Sequence, residues 1–215
     1  MSYRETLRRR TGPAMGLAGL LALVFVFAAS LATPIHAASA RSTAIKVTKS
    51  VPYERPEFKR PNDPNQLFFL QRSMNANTIV YAARVGADGK LDPKSPVDVY
   101  WRRFNDQGER KELGTLERYL AFGVNTRPGK VKGEYHVEFK ALPGRAMILR
   151  RAADGKFQLT GQIGPHTVRP HFIFVDLDET SLVPRVQYLY LHGQDLATGM
   201  SVTETLTVSG GEPSN

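Results

Sequence analysis

From residue 67 to residue 208, apolar side chains recur mostly at every second position, and that period decides what the chain can fold into. A period of two places alternate side chains on opposite faces of a strand, so each run reads as half-buried β-structure. Val97, Val99 and Trp101 share one face, while Asp98, Tyr100 and Arg102 share the other. Tyr135, Val137 and Phe139 alternate with His136 and Glu138. The same pattern predicts strands over 67–72, 78–85, 146–151, 157–163, 171–177, 185–192 and 201–208. Turn dipeptides punctuate them: Asp88-Gly89, Gln107-Gly108, Pro143-Gly144 and Asp154-Gly155. The stretches 172–177 and 188–191 are apolar on both faces, which predicts central or covered strands. One segment breaks the period. Over 110–122, Leu113, Leu116 and Leu120 fall at helical spacing, and Gly123 suits a left-handed C-terminal cap. The expected fold is mainly β: an antiparallel β-sandwich or partly closed barrel of about nine strands with one packed α-helix.

The N-terminus reads as an export leader. Arg4, Arg8, Arg9 and Arg10 precede an uncharged apolar run over 14–32, then Thr33-Pro34 and the small residues Ala37-Ala38-Ser39-Ala40. This is the order of a secretory signal, with cleavage expected before Arg41. The run is long enough to span a bilayer, so an uncleaved anchor over 14–32 is the alternative. The expected organisation is a signal peptide or anchor over 1–40, a Pro-rich extended arm over 41–66, one β-rich domain over 67–209 and a frayed tail over 210–215. Pro52, Pro56, Pro61 and Pro64 mark the arm. The expected location is periplasmic or secreted, or the inner membrane if the anchor stays.

The chain has no cysteine, which excludes disulfides, thiol nucleophiles and Cys-based metal sites. An exported domain without disulfides is held by its core alone, as in bacterial envelope proteins. The leader carries four Arg and one Glu, so +6 of the formal +9 charge stays on the rest of the chain. That charge is spread out, without a basic run, and does not read as a nucleic-acid module.

Few motifs carry chemistry. An apolar strand runs into Asp176-x-Asp178-x-Thr180 and resembles the first motif of haloacid-dehalogenase-type phosphatases. That likeness implies Asp176 as nucleophile and Asp178 as proton donor, with magnesium bridging the phosphate. Only 35 residues follow Thr180 and none is Lys, so the rest of that α/β machinery has no place to stand. His136, His166, His171 and His192 show no zinc spacing. Neither Gly-x-Ser-x-Gly nor Ser-x-x-Lys occurs. No cofactor and no metal site is expected.

Polar residues grouped at strand ends are the candidate ligand contacts. Arg72, Asn75 and Asn77 lie between two apolar strands, where they form either a turn or a polar patch. Tyr100 and Arg102 line either a cleft or an exposed face. Glu204 shares a strand face with Val202, Leu206 and Val208, so it needs a partner, a rim position or a raised pKa. Arg72 or Arg118 is the expected partner; otherwise the strand's outer face is the mixed one.

Leu67-Phe68-Phe69-Leu70-Gln71-Arg72-Ser73, then Asn75, Asn77-Thr78 and Tyr81, resemble the opening of a bacterial family, domain of unknown function 4833. Pro96-Val97, Tyr100-Trp101, Gly108, Leu113 and Ala121-Phe122-Gly123 continue the likeness, which thins towards 191–204. The family's usual Ala-Tyr-Gly stands here as Ala121-Phe122-Gly123, which removes a hydroxyl and argues against catalysis at that spot. The resemblance implies an exported single domain and transfers no activity.

Three functions fit these observations. The first is a non-catalytic binding module for a small apolar or amphipathic ligand or an envelope component such as a protein or glycan. The second is a structural or protein-interaction domain with no small-molecule site. The third is a hydrolase built on Glu204, Asp176 or a histidine. No nucleic-acid partner is expected, and membrane contact only through the leader.

Overall fold

The computed structural model describes residues 40–48, 58–72, 75–142, 144–178 and 185–208. The expected leader, apart from Ala40, and the expected tail lie outside the described residues, as do Pro143 and the Glu179-Thr180 end of the Asp-rich turn.

Strand β10 (His166–Asp178) organises the molecule. Its first three residues pair antiparallel with β9 (Phe157–Ile163). From Phe172 to Val175 it pairs in parallel with β2 (Gln66–Arg72). Between them, Arg169, Pro170 and His171 have no partner on either β9 or β2. Pro170 has no N–H to lose in such a gap. The sheet therefore forks. One branch runs from β2 through β3 (Asn75–Ala83) and β4 (Val97–Arg103) to β5 (Glu109–Glu112). The other runs from β9 through β8 (Ala146–Arg151) and β7 (Tyr135–Phe139) to β6 (Val124–Pro128). Nine strands thus follow one path, and the sheet curls into a half-barrel. From β10's other edge, β11 (Arg185–Asp195), β12 (Ser201–Val208) and β1 (Ala40–Thr48) continue in antiparallel order. At Gly193, opposite Pro170, a Cβ would come within 2.8 Å of the Arg169 carbonyl oxygen, so β11 passes the fork closely only because it has none.

The two branches fold their apolar faces onto each other, and the core lies between them. Phe68 of β2 stacks on Tyr81 of β3 at 4.4 Å, and Phe139 of β7 meets both rings edge-on at 4.9 and 5.2 Å. Val97, Val99 and Trp101 fill the same interior, as their alternation predicts, with Leu149, Leu159, Ile173, Leu191, Val202 and Leu206. The mainly β fold and its half-closed curl follow the sequence expectation. The apolar stretches of β10 and β11 do lie centrally.

Three strands lie outside the stretches predicted from alternation. Residues 109–112 of β5 and 44–47 of β1 are exposed throughout, and β6 has no fully buried residue, so none of them presents a buried apolar face. The helix is shorter than expected. Residues 110–112 belong to β5, and the helix begins at Thr115, after Gly114, continuing as a π-turn over Arg118–Phe122. Leu116 is exposed, and Ala121 and Phe122 face the core instead. Gly123 is extended rather than left-handed. It is needed for closeness: a Cβ there would lie 2.0 Å from the Arg118 carbonyl oxygen.

The outer face of β2, β3, β4 and β10 is also buried. Phe69, Val80, Ala82, Tyr100, Phe172 and Phe174 lie on it. Residues 58–65 cross this face. Arg60 stands over the Phe172 ring at 5.4 Å, Pro61 is buried, and Asp63 accepts from Arg102 Nε at 2.8 Å.

The Tyr81 hydroxyl is fully enclosed and has no hydrogen-bond partner among the described residues. Burial alone holds its pKa well above the ordinary phenol value. Removing an unsatisfied buried hydroxyl recovers its desolvation cost, about 1 kcal/mol. Tyr81→Phe is therefore expected to raise the urea midpoint, and a clear fall would show that the hydroxyl is satisfied.

Candidate functional site

The fork opens a cleft. Where β9 leaves β10 and β2 has not yet taken its place, the two branches diverge, and a space of about 330 Å³ remains. Its walls come from four places: Arg60 on the arm, Gln66, Leu67 and Phe69 on β2, the β8–β9 turn with β9, and residues 169–172 of β10. The turn is tight because Ala152 and Lys156 close it by a backbone bond and Asp154 accepts from the Lys156 N–H at 3.0 Å. It sets Lys156 across from Arg60 and Arg169 in the lining.

Three permanent cations against one carboxylate, Asp154, give the cleft a positive character. The histidines register that field. Burial first, then Arg169 and Arg60, holds the His171 pKa below its usual value. His192 lies beneath, stacked on Phe172 at 4.2 Å and bonded through Nδ1 to the Thr203 hydroxyl at 2.9 Å. Burial, with Arg60 and His171 nearby, brings it down to about 4. Both rings are therefore mainly neutral at pH 7. Phe69, Phe157 and Phe172 supply apolar surface between the charged groups, and Phe69 and Phe172 stack at 5.5 Å. Such a site can hold an oxyanion attached to a flat apolar body.

The residues singled out in the sequence lie elsewhere and do not converge. Tyr100 and Arg102 do share a face, but it is neither an open cleft nor an exposed surface. Tyr100 is buried with Arg110 stacked on its ring at 3.8 Å, and burial with the nearby Asp63 pushes its hydroxyl up to about 12. Arg102 is bound by Asp63 and by the Gly108 carbonyl at 2.9 Å. Asn77 accepts from the Asn105 N–H at 3.1 Å, which ties β3 to the 3-10 turn Phe104–Asp106. The Asn75 side chain lies outside the described residues. Arg72 faces the interior, 5.4 Å from the Trp101 ring centre.

Glu204 is on the inner face after all, between the fully buried Val202 and Leu206. Its partner is neither Arg72 nor Arg118. Arg145, at the mouth of β8, donates to its Oε1 at 2.6 Å and to the Gln162 carbonyl at 3.2 Å. One guanidinium thus ties β12 to the β9 branch, a contact between residues 59 apart that no local pattern announces. Of Asp176, Glu204 and the histidines, His171 alone lines the cleft at the fork, and among the described residues no three metal-ligating side chains gather.

The cleft residues escaped sequence reading because they come from four separated segments. One signal was there: Pro170 between His166 and His171, inside a long strand-like stretch, marks a place where pairing has to lapse.

The fold and the cleft define a cysteine-free, β-rich domain with one small basic site at a branch point of its sheet. Residues 68–205 match the family described as a domain of unknown function, DUF4833, and the chain belongs to that family. No curated protein and no solved structure matches it. The matched segment holds β2 through most of β12, including Lys156, Arg169 and His171, whereas Arg60 precedes it.

Two outcomes follow from the buried ionisable groups. Arg145→Ala leaves Glu204 buried and unpaired and is expected to cost about 3–5 kcal/mol, while Arg145→Met with Glu204→Leu is expected to cost far less. Urea unfolding of both variants checks this. His192 titrates near 6.5 when unfolded and about 4 when folded. Between those values the unfolded chain binds a proton that the folded chain does not. Stability is thus full above pH ~6.5 and falls by roughly 3 kcal/mol as the pH drops to ~4. His192→Gln is expected to flatten that slope in unfolding curves recorded across this range.

Proposed function

We propose that the protein is an exported cell-envelope binding module that holds a small anionic, amphipathic molecule in the cleft at the fork of its sheet. The observation that carries this reading is the cleft itself: Arg60, Lys156 and Arg169 around a space of about 330 Å³ with phenylalanine surface inside. That volume is at the small end for ligand sites. Large side chains such as Phe68, Tyr81 and Phe139 pack in the interior, which favours a ligand at the surface of the fold over one in a barrel lumen. The leader supports export. An intact mass starting at Arg41 in protein recovered from its host favours cleavage, and a mass that includes residues 14–32 favours an anchor.

A second reading rests on β1. Among the described residues it pairs with β12 alone, and it exposes Ile45 and Val47. An open edge of this kind accepts another strand, which is how an interaction domain would use it.

Calorimetric titration with 2-naphthoate, and with neutral 2-naphthamide as control, tests the cleft. Saturable binding of the carboxylate is expected, weakened at least ~10-fold when Lys156→Glu and Arg169→Glu are combined. A bound anion offsets the field of the two arginines and favours protonated His171, so its affinity is expected to rise as the pH falls below ~6.5. Equal binding of the neutral amide, or of the charge-reversed chain, would contradict the proposal.

A further inference from the structure

Arg72 stands apart from the cleft. It lies at the other end of β2 from the cleft and on the opposite face, with Phe69 roughly 10 Å back along the strand. It is 8% exposed. Its guanidinium is held over the Trp101 ring, 5.4 Å from the ring centre. Among the described residues its Nε, sealed from solvent, has no acceptor, and no carboxylate forms an ion pair with it. Burial pulls its pKa below the ordinary value, and the nearest opposing charge, Glu117, only partly offsets this. Glu117 is engaged elsewhere: its Oε2 accepts from Trp101 Nε1 at 3.3 Å and from the Gly114 N–H at 2.8 Å.

A desolvated guanidinium with unmet hydrogen-bonding capacity is expensive to keep. Buried polar groups in folded proteins are nearly always satisfied, so one that is not points to a missing acceptor. A guanidinium is the side chain best matched to a two-oxygen acceptor, which it grips through parallel N–H bonds. The ring beneath it and the helix beside it fix its plane. Trp101 packs edge-on against Phe122 at 5.6 Å, and the helix at 115–122 brings up both Phe122 and Glu117. The two fixed neighbours hold Arg72 ready without satisfying it.

We propose that Arg72 is the receiving residue of a second binding site, one that takes a small oxyanion, a carboxylate or a phosphate, at the Trp101 end of the half-barrel. The anion supplies the acceptor that the fold withholds. Glu117 opposes it by charge while holding Trp101 in place, so it sets the affinity and does not contact the anion.

Trp101 is the chain's single tryptophan, so its emission reports on this site and not on the cleft, whose rings are those of Phe69, Phe157, Phe172 and His171. The test is fluorescence titration of the full chain with benzoate and, separately, with inorganic phosphate, each up to ~10 mM. A saturable change in Trp101 emission is expected with at least one of them, and which one responds tells a carboxylate site from a phosphate site. The change should vanish in Arg72→Gln and persist when Lys156→Glu and Arg169→Glu are combined. Glu117→Gln keeps an acceptor for Trp101 and Gly114 but removes the opposing charge, and should tighten binding several-fold. That variant carries the test if Arg72→Gln fails to fold. A flat titration with both anions, a response that survives Arg72→Gln, or an unchanged affinity in Glu117→Gln would overturn the proposal. The cleft can fail its calorimetric test while this site passes, and the reverse.

Discussion

The structure depends on one strand changing partner. β10 begins with an antiparallel neighbour and ends with a parallel one on the same edge, and three residues in between have neither. A strand's edge offers a fixed row of donors and acceptors, and each switch of partner leaves a gap that local chemistry has to make tolerable. Here a proline sits in the gap, and a glycine opposite lets the next strand pass. The fork sends two branches off one edge, and their apolar faces can only be covered by folding onto each other. The aromatic group of Phe68, Tyr81 and Phe139 forms where they meet, and the cleft remains where they part. Core and candidate site are two consequences of the same switch.

The protein also tolerates an unusual number of polar groups in its interior. Glu204 and Arg145 close the half-barrel across a long sequence gap, with one carboxylate oxygen left without a partner. Tyr81 buries a hydroxyl, and Arg72 buries a guanidinium. These groups differ in what they do. The Glu204 pair joins β12 to the β9 branch, with which it has no strand pairing, so its loss would loosen that junction. The Tyr81 hydroxyl contributes nothing visible to the packing. Arg72 is placed by a ring and a helix as though for an acceptor. With no disulfide to hold the domain, stability has to come from packing around these exceptions.

Much of the fold was legible because period-two alternation is a local property. The nine predicted stretches, most of them alternating, the central place of β10 and β11 and the inward face of Trp101 could all be read from neighbouring residues. Strands β1, β5 and β6 could not, because their residues are exposed or only partly buried and present no buried apolar face. The helix was read too long because Leu113 and Leu116 mimic a stripe, whereas pairing of 110–112 with β4 claims that stretch first. Of the candidate residues, the sequence leaves Glu204 either paired, at a rim or on a mixed outer face, and its partner Arg145 is visible only through tertiary contact. Arg72 was noticed as polar among apolar neighbours, and its burial was not readable. The cleft was invisible, since four separated segments build it and none carries a motif.

The central claim is that the fork of the sheet is a binding site, and it is tested most directly in protein that has met its natural surroundings. Native mass spectrometry of the protein purified from its own host, set beside its denatured mass, is the measurement. The account predicts extra mass that is lost on denaturation, recovered as a small anion, and absent when Lys156 and Arg169 are both changed to Glu. A bare polypeptide mass, or extra mass that the charge-reversed chain retains in full, would contradict it.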